Sequence, residues 1–286
     1  MLARMQDKVI VITGASAGIG AALGELCGGR GARVALLARR QPELEAVAAR
    51  AGAEALPIVA DVTRRADLER AVAATLARFG RIDVLVNNAG RGISRKVAEL
   101  DDADFDEMML VNVKAVLYAI QAVLPHFRAR GSGHIVNVSS MLGRLPMAPI
   151  RSAYAAAKHA LNGLTANLRV ELRASDPGIR VSAVHPGVVA TEFGVLALHG
   201  GVDSRKLPTA QPVAEVAEVI AGVIAEPRAD VYTFAGAREL VARYFAADDM
   251  AAAEAALAPT VPPTVPPTTT PTVPSTTTFT VPSQWR

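Results

Sequence analysis

The sequence predicts an α/β protein, a doubly wound parallel sheet of about seven strands with helices on both faces. Three observations point there. Apolar, strand-like runs alternate along the chain with helical patterns. Most of these runs are continuous and β-branched, as strands covered on both faces are. Repeated strand, helix, strand units require right-handed crossovers, and these generate such a sheet.

Taken in order, the strand runs are "KVIVIT" (8–13), "RVALLA" (33–38), "EALPIVA" (54–60), "IDVLVN" (82–87), "HIVNVS" (134–139), "IRVSAV" (179–184) and the shorter "DVYTF" (230–234). Between them lie Ala/Leu/Glu/Arg segments with helical apolar spacing, such as "ELEAVAAR" (43–50) and "ADLERAVAATLARF" (66–79). "ARELVARYFAADDMAAAEAAL" (237–257) reads as the last helix or helices of a single domain over 1–258. The Pro/Thr-rich stretch 259–286 cannot bury enough surface to order itself and is expected to be a flexible, partly polyproline tail. The uncharged run 255–285 contains eight prolines, so it is not a membrane-spanning helix.

With 286 residues, 51% of them hydrophobic, the chain can bury a full core. A net charge of +3 comes from 30 basic side chains scattered among 27 acids, and aromatics are 4%; this is a poor footprint for nucleic acid. The single Cys27 excludes a disulfide framework and reads as a small core residue. The first residues run straight into a strand without a signal-peptide pattern, so a cytoplasmic location is expected. No metal-ligand spacing is evident.

In such sheets ligands bind beyond the carboxyl ends of the strands, and the unusual residues fall there. "TGASAGIG" (13–20) follows the first strand and opens a helix; glycines at 14, 18 and 20 permit a tight turn and close approach of a pyrophosphate to the helix N-terminus. After the second strand, where an acid would hold an adenosine 2′-hydroxyl, stand Arg39 and Arg40, which suit a 2′-phosphate. NADP(H) is therefore expected ahead of NAD(H). Two solvated arginines are the structural alternative.

Tyr154 and Lys158 in "SAYAAAKHAL" stand four apart and share one helix face. A free phenol near pKa 10 is too basic to be poised at neutrality. A neighbouring ammonium, together with an oxidised nicotinamide, lowers it and makes a usable general acid/base. Asn112 falls mid-helix, where asparagine is a poor former.

The spacing G-x-x-x-G-x-G, followed in order by "ADVT" (60–63), "NNAG" (87–90), "NVSS" (137–140), the Tyr/Lys pair and "HPGVVATEF" (185–193), resembles the compact single-domain branch of the short-chain dehydrogenase/reductase family over roughly residues 5–245. The resemblance implies a Rossmann-like fold and places Gly14, Ser16, Gly18, Ile19 and Gly20 at the cofactor, with Asp61 and Val62 at its adenine. Asn88, Ala89 and Gly90 would line it. Pro186 and Gly187 would shape a turn from which Val189 and Thr191 orient the nicotinamide. Ser140 would be the carbonyl-polarising serine, with Ser139 as the competing assignment, and Asn112 would hold a water that links Lys158 to solvent. His185 reads as a structural neighbour of the turn.

The implied activity is hydride transfer between NADP(H) and a carbonyl or secondary alcohol by a Tyr-Lys-Ser-Asn mechanism. Two alternatives remain, a catalytically silent dinucleotide-binding sensor and a scaffold whose tail recruits a partner. Residues 192–208 are expected to form a mobile lid, with Met141, Leu142 and Phe193 giving an apolar pocket. Arg91, Arg95, Arg144, Arg151, His199 and Arg205 could meet an acidic group there. Relatives commonly form homodimers or homotetramers through the helices carrying Asn112 and Tyr154.

Overall fold

Seven strands, all parallel, form one sheet in the order β3-β2-β1-β4-β5-β6-β7. They are β1 (Val9–Thr13), β2 (Arg33–Ala38), β3 (Ala55–Val59), β4 (Val84–Asn87), β5 (Gly133–Val138), β6 (Ile179–His185) and β7 (Asp230–Tyr232) in the computed structural model, which describes residues 5–257. The tail expected over 259–286 lies outside the described residues. Nine α-helices occur among the described residues: α1 (Gly18–Gly29), α2 (Gln41–Ala51), α3 (Arg65–Phe79), α4 (Asp102–Met109), α5 (Ala115–Arg130), α6 (Ser152–Ser175), α7 (Val213–Ala225), α8 (Ala237–Phe245) and α9 (Met250–Leu257).

Parity along the strands builds two separate cores. Ile10 and Ile12 of β1, with Val34 and Leu36 of β2, pack against α1, α2 and α7 through Leu23, Cys27, Leu44 and Ile220. Val9 and Val11, with Ala35 and Leu37, face α3, α5 and α6 through Leu68, Val123, Phe127 and Leu161. Burying one such Leu, Ile or Phe side chain stabilises the fold by about 1.5–3 kcal/mol. Cys27 has no exposed surface, and burial pushes its thiol up to about 12, so it packs and does not react.

Local chemistry trims the expected strands. β4 starts two residues late because the Asp83 carboxylate accepts the Val9 N–H at 2.8 Å and the Ile82 N–H donates to His126 Nε2 at 3.1 Å. β7 stops at Tyr232, since Thr233 donates to Gln211 Oε1 and accepts from its Nε2. β3 is not covered on both faces as expected: it is the outermost strand, and Val59 is 46% exposed. Pro57 is tolerated in it because an edge strand has one unpaired side.

The run Asp102–Arg130 is, by length and composition, apolar enough to cross a membrane. In this fold its apolar residues Val116, Ile120, Val123 and Phe127 belong to the core beneath the sheet.

Candidate active site

The strand order turns back between β1 and β4, the switch point beyond whose strand ends sheets of this kind carry their crevice. The glycine turn occupies one wall. Gly14 and Gly18 have φ of +68° and +56°, in the left-handed region. A Cβ on Gly20 would sit 2.4 Å from the Gly14 carbonyl oxygen, and one on Gly14 would sit 2.8 Å from Ala89 Cα. The helix behind the turn has Ala17 as its N-cap, with no side-chain cap and no acid in the first turn. Its first N–H groups and dipole are therefore left for an anion.

The opposite wall is β4 and its "NNAG" loop, tied to the turn by polar atoms. The Thr13 hydroxyl accepts from the backbone N–H of both Asn88 and Ala89 at 3.0 Å, and Asn88 Nδ2 donates to the Thr13 carbonyl at 3.0 Å. Thr13 was not singled out in the sequence; a hydroxyl residue closing an apolar strand was its only signal. A cavity of about 340 Å³ lies between Ala17, Gly18 and Ala21 on one side and Thr191, Glu192 and Arg205 on the other. A second cavity of about 490 Å³, beside β7 and α8, contains none of the expected site residues.

After β2, Arg39 and Arg40 are exposed, and Arg40 reaches the Ser16 hydroxyl at 3.2 Å while pairing with Glu43 at 3.4 Å. Asp61 is turned on its own loop, accepting from the N–H and hydroxyl of Thr63 at 3.0 and 2.7 Å, and Val62 packs on the core.

On α6, Tyr154, Lys158 and Asn162 follow at four-residue intervals and all three are buried. Asn162 was legible from that spacing and was missed. It accepts from the Ser139 hydroxyl at 2.6 Å and donates to the Gly143 carbonyl at 2.7 Å, which fixes the loop after β5. Ser139 is thus engaged with Asn162, while the Ser140 hydroxyl accepts the Leu142 N–H at 3.1 Å and faces the phenol.

Lys158 Nζ lies 5.6 Å from the Tyr154 ring centroid and donates to the Val138 carbonyl at 3.0 Å. Burial dominates both groups. It pushes the phenol up to about 12, against the pull of the Ser140 hydrogen bond and the Arg151 charge, and it pushes Lys158 down to about 8. The expected acidification of the phenol draws on the oxidised nicotinamide as well as Lys158; in the chain by itself desolvation dominates, and Arg151 is the cation whose charge opposes the rise.

Asn112 is fully buried in a π-helical turn, Leu110–Lys114, which interrupts the helix between α4 and α5. Its amide donates to the carbonyls of Arg91 and Met108 at 3.0 Å and accepts from the Arg91 N–H at 3.3 Å. A Cβ on Gly90 would come within 3.0 Å of Asn112 Oδ1 and 3.7 Å of Lys158 Nζ, so that glycine separates the two.

After β6, Pro186 accepts the Met141 N–H at 2.9 Å, and Val189 bridges to Gln211. Gly187 abuts Phe234, while the Thr191 methyl would meet a Cβ on Gly18 at 3.2 Å. His185, with no exposed surface, donates from Nε2 to Asp230 Oδ1 at 3.0 Å and stacks on Tyr232. That hydrogen bond, helped by Arg169 and Arg144, holds the Asp230 carboxyl at about 2.

The segment 192–208 lies over the site as bends, turns and one short 3-10 turn, Ser204–Lys206. Ile93 bridges Leu198, the Ser94 hydroxyl donates to the Gly200 carbonyl at 2.6 Å, and His199 Nε2 meets the buried Asp104 at 2.6 Å. His199 adopts φ +61°, unusual for a residue other than glycine. Phe193 meets Tyr154 edge-on at 5.4 Å, and Leu142 joins the same apolar cluster. Met141 does not; it packs with Leu145, Ala237 and Val241.

Comparison with known proteins gives the same picture. A family model described as short chain dehydrogenase matches residues 8–197, more than half of the chain. A Staphylococcus saprophyticus protein described as an uncharacterized oxidoreductase is 36% identical over 222 residues, covering 76% of this chain and 92% of that protein. A Staphylococcus epidermidis protein of like description is 35% identical over 190 residues, with 66% and 81% covered. Among solved structures, a Burkholderia phymatum short chain dehydrogenase/reductase in complex with NAD superposes with a TM-score of 0.77 at 27% identity, covering 85% and 94%. An alcohol dehydrogenase from Thermococcus sibiricus complexed with 5-hydroxy-NADP gives 0.70 at 30%, covering 79% and 96%. Strand order, the glycine turn and the extent of these matches converge on one conclusion: the chain belongs to the short-chain dehydrogenase/reductase family of oxidoreductases.

Proposed function

We propose that this protein interconverts a carbonyl compound and the corresponding secondary alcohol with a nicotinamide dinucleotide, and that NADP(H) is preferred over NAD(H). The reading is carried by the meeting of Tyr154, Ser140 and Lys158 in one buried site next to the crevice between β1 and β4. The crevice fits a dinucleotide. Its glycine turn has no room for side chains, its helix start is uncapped, and Arg40 lies beside Ser16 with Arg39 next to it.

When bound, the nicotinamide supplies or accepts the hydride and, in its oxidised form, a positive charge. Gly14, Ser16, Gly18, Ile19 and Gly20 would hold the pyrophosphate, and Asn88, Ala89 and Gly90 the riboses. Pro186, Gly187, Val189 and Thr191 would orient the nicotinamide. Arg39 and Arg40 would read a 2′-phosphate, with Asp61 and Val62 at the adenine.

The proton belongs to Tyr154. Burial pushes the phenol up to about 12, so it carries the proton at neutral pH for donation to a carbonyl oxygen as the carbon is reduced, and the charge of a bound oxidised nicotinamide would bring it back toward the range in which the proton moves readily. In the reverse direction the same oxygen takes the alcohol proton. The Ser140 hydroxyl would donate to the carbonyl oxygen and share the charge developing there. Lys158, close to 8, can hold or release a proton near neutrality, and Asn112 would support its exchange with solvent. Assembly into homodimers or homotetramers through α5 and α6, where Val170 stands 66% exposed, and a cytoplasmic location belong to the same reading.

The test is Tyr154→Phe, assayed by oxidation of NADPH with a panel of ketones and aldehydes. Turnover should fall by about 10²–10⁴, the share of a general acid, while NADPH binding by fluorescence titration is kept. Undiminished turnover would remove Tyr154 from the mechanism.

A further inference from the structure

The cations expected near the substrate are sorted by the structure into paired and unpaired. Arg91 pairs with Glu107, Arg144 with Asp230, Arg205 with Asp203 and Glu192, and His199 with Asp104. Among the described residues Arg95 and Arg151 have no carboxylate partner within the 4.0 Å of an ion pair. Arg95 is turned to the lid, where its Nη2 donates to His199 Nδ1 at 3.3 Å. Arg151 stands at the N-cap of α6, one turn before Tyr154.

Its place is set from three sides. Nη1 donates to the Ile93 carbonyl at 3.0 Å, under the lid. A Cβ on Gly92 would lie 3.2 Å from that nitrogen and 2.8 Å from the ring of Phe193, which itself meets Tyr154 edge-on. A Cβ on Gly201 would lie 2.9 Å from Nη2. One helical turn separates Arg151 from Tyr154, and the arginine's charge acts on the phenol. Arg151 is partly buried, which pulls its guanidinium below the ordinary value, and the Ile93 carbonyl is the acceptor its side chain meets. A guanidinium has five N–H donors in a fork that matches a carboxylate, so donors remain for an anion.

We propose that Arg151 is the anion-recognising residue of the substrate site, and that the substrate is an oxo acid, or its hydroxy acid, whose carboxylate pairs with Arg151 while its carbonyl faces Tyr154 and Ser140. This deepens the reductase reading and rests on it. It goes beyond the machinery of proton transfer, because it names a chemical class of substrate.

The test compares kcat/KM for a series of oxo acids, each against its methyl ester, in the wild type, Arg151→Lys and Arg151→Gln. The wild type should prefer the acid of at least one pair. In Arg151→Gln the acid-to-ester ratio should fall by about 10–100-fold, the worth of a charge-assisted hydrogen bond, and Arg151→Lys should recover part of it. A ratio cancels any change that the lost charge makes to the phenol. Preference for the ester in every pair, or a ratio unchanged in Arg151→Gln, overturns the proposal. The wild-type ratio decides even if a variant fails to fold.

Calorimetric titration of the protein mixed with NADP⁺ with hexanoate and hexanamide separates the two readings, since it needs no turnover. Binding of hexanoate alone, lost in Arg151→Gln, supports the anion site whether or not any ketone is reduced. Equal behaviour of hexanoate and hexanamide counts against it.

Discussion

The cavity that Ala17, Gly18 and Ala21 line opposite Thr191, Glu192 and Arg205 has two walls built from different materials. On the glycine-turn side every hydrogen bond to residues 87–90 has main chain on one side of it, made with the Thr13 hydroxyl or the Asn88 amide, and no added carbon fits at Gly14 or Gly20. On the lid side a few side chains hold 192–208 in place, namely Ser94, His199 with Asp104, and Arg95 with His199. A wall made of main chain can change little without losing its shape, whereas a wall made of side chains can be altered one residue at a time. In the proposed reading a dinucleotide would lie against the first wall and a substrate against the second.

The largest blow to this contrast is Gly20→Ala. Its methyl meets the Gly14 carbonyl, so unfolding experiments should show a loss of about 1–3 kcal/mol from overpacking, and titration with NADPH or NADH should show no saturable binding. Normal binding would mean that this wall does not hold the cofactor. Next in size is the double replacement of Arg39 and Arg40 by Ala. Losing charge-assisted bonds to a 2′-phosphate should reduce the preference for NADPH over NADH by about 10–100-fold, read as a ratio of kcat/KM values; an unmoved ratio would return both arginines to the role of solvated surface. Smallest is His199→Ala on the lid. One net hydrogen bond of about 1 kcal/mol corresponds to a roughly fivefold rise in substrate KM, with faster amide exchange across 192–208 and little change at saturating substrate. Unchanged exchange would show that the His199–Asp104 contact does not latch the lid.

The same contrast explains what could be read from the sequence. The fold was legible because its strands are continuous apolar runs and its glycine turn requires glycine at fixed positions, both local properties. The helix-face spacing of Tyr154 and Lys158 was legible for the same reason. Ser139 and Ser140 could not be separated from spacing alone, since their roles are divided by Asn162, 22 residues beyond Ser140 in the chain. The rise of the phenol to about 12 was hidden because burial is a property of the assembled fold. The direction of Met141 was not legible, because it is set by the short 3-10 turn Met141–Gly143, which sends its side chain toward α8.

A sheet that is apolar on both faces has a problem of alignment: a strand shifted by one residue would still bury oily side chains on either side, so greasiness alone does not choose the pairing. Here the choice falls to a few polar atoms at the strand ends. Asn87 and Asn137 stand opposite each other on β4 and β5 and share a hydrogen bond of 2.9 Å in the interior, and Asn137 passes a second one to Thr165 of α6. Thr13 does the same for β1 beside β4. Any slip would strand these amides and that hydroxyl without partners, at about 1–3 kcal/mol each. The atoms that aim the binding crevice are therefore also the ones that keep the strands in step.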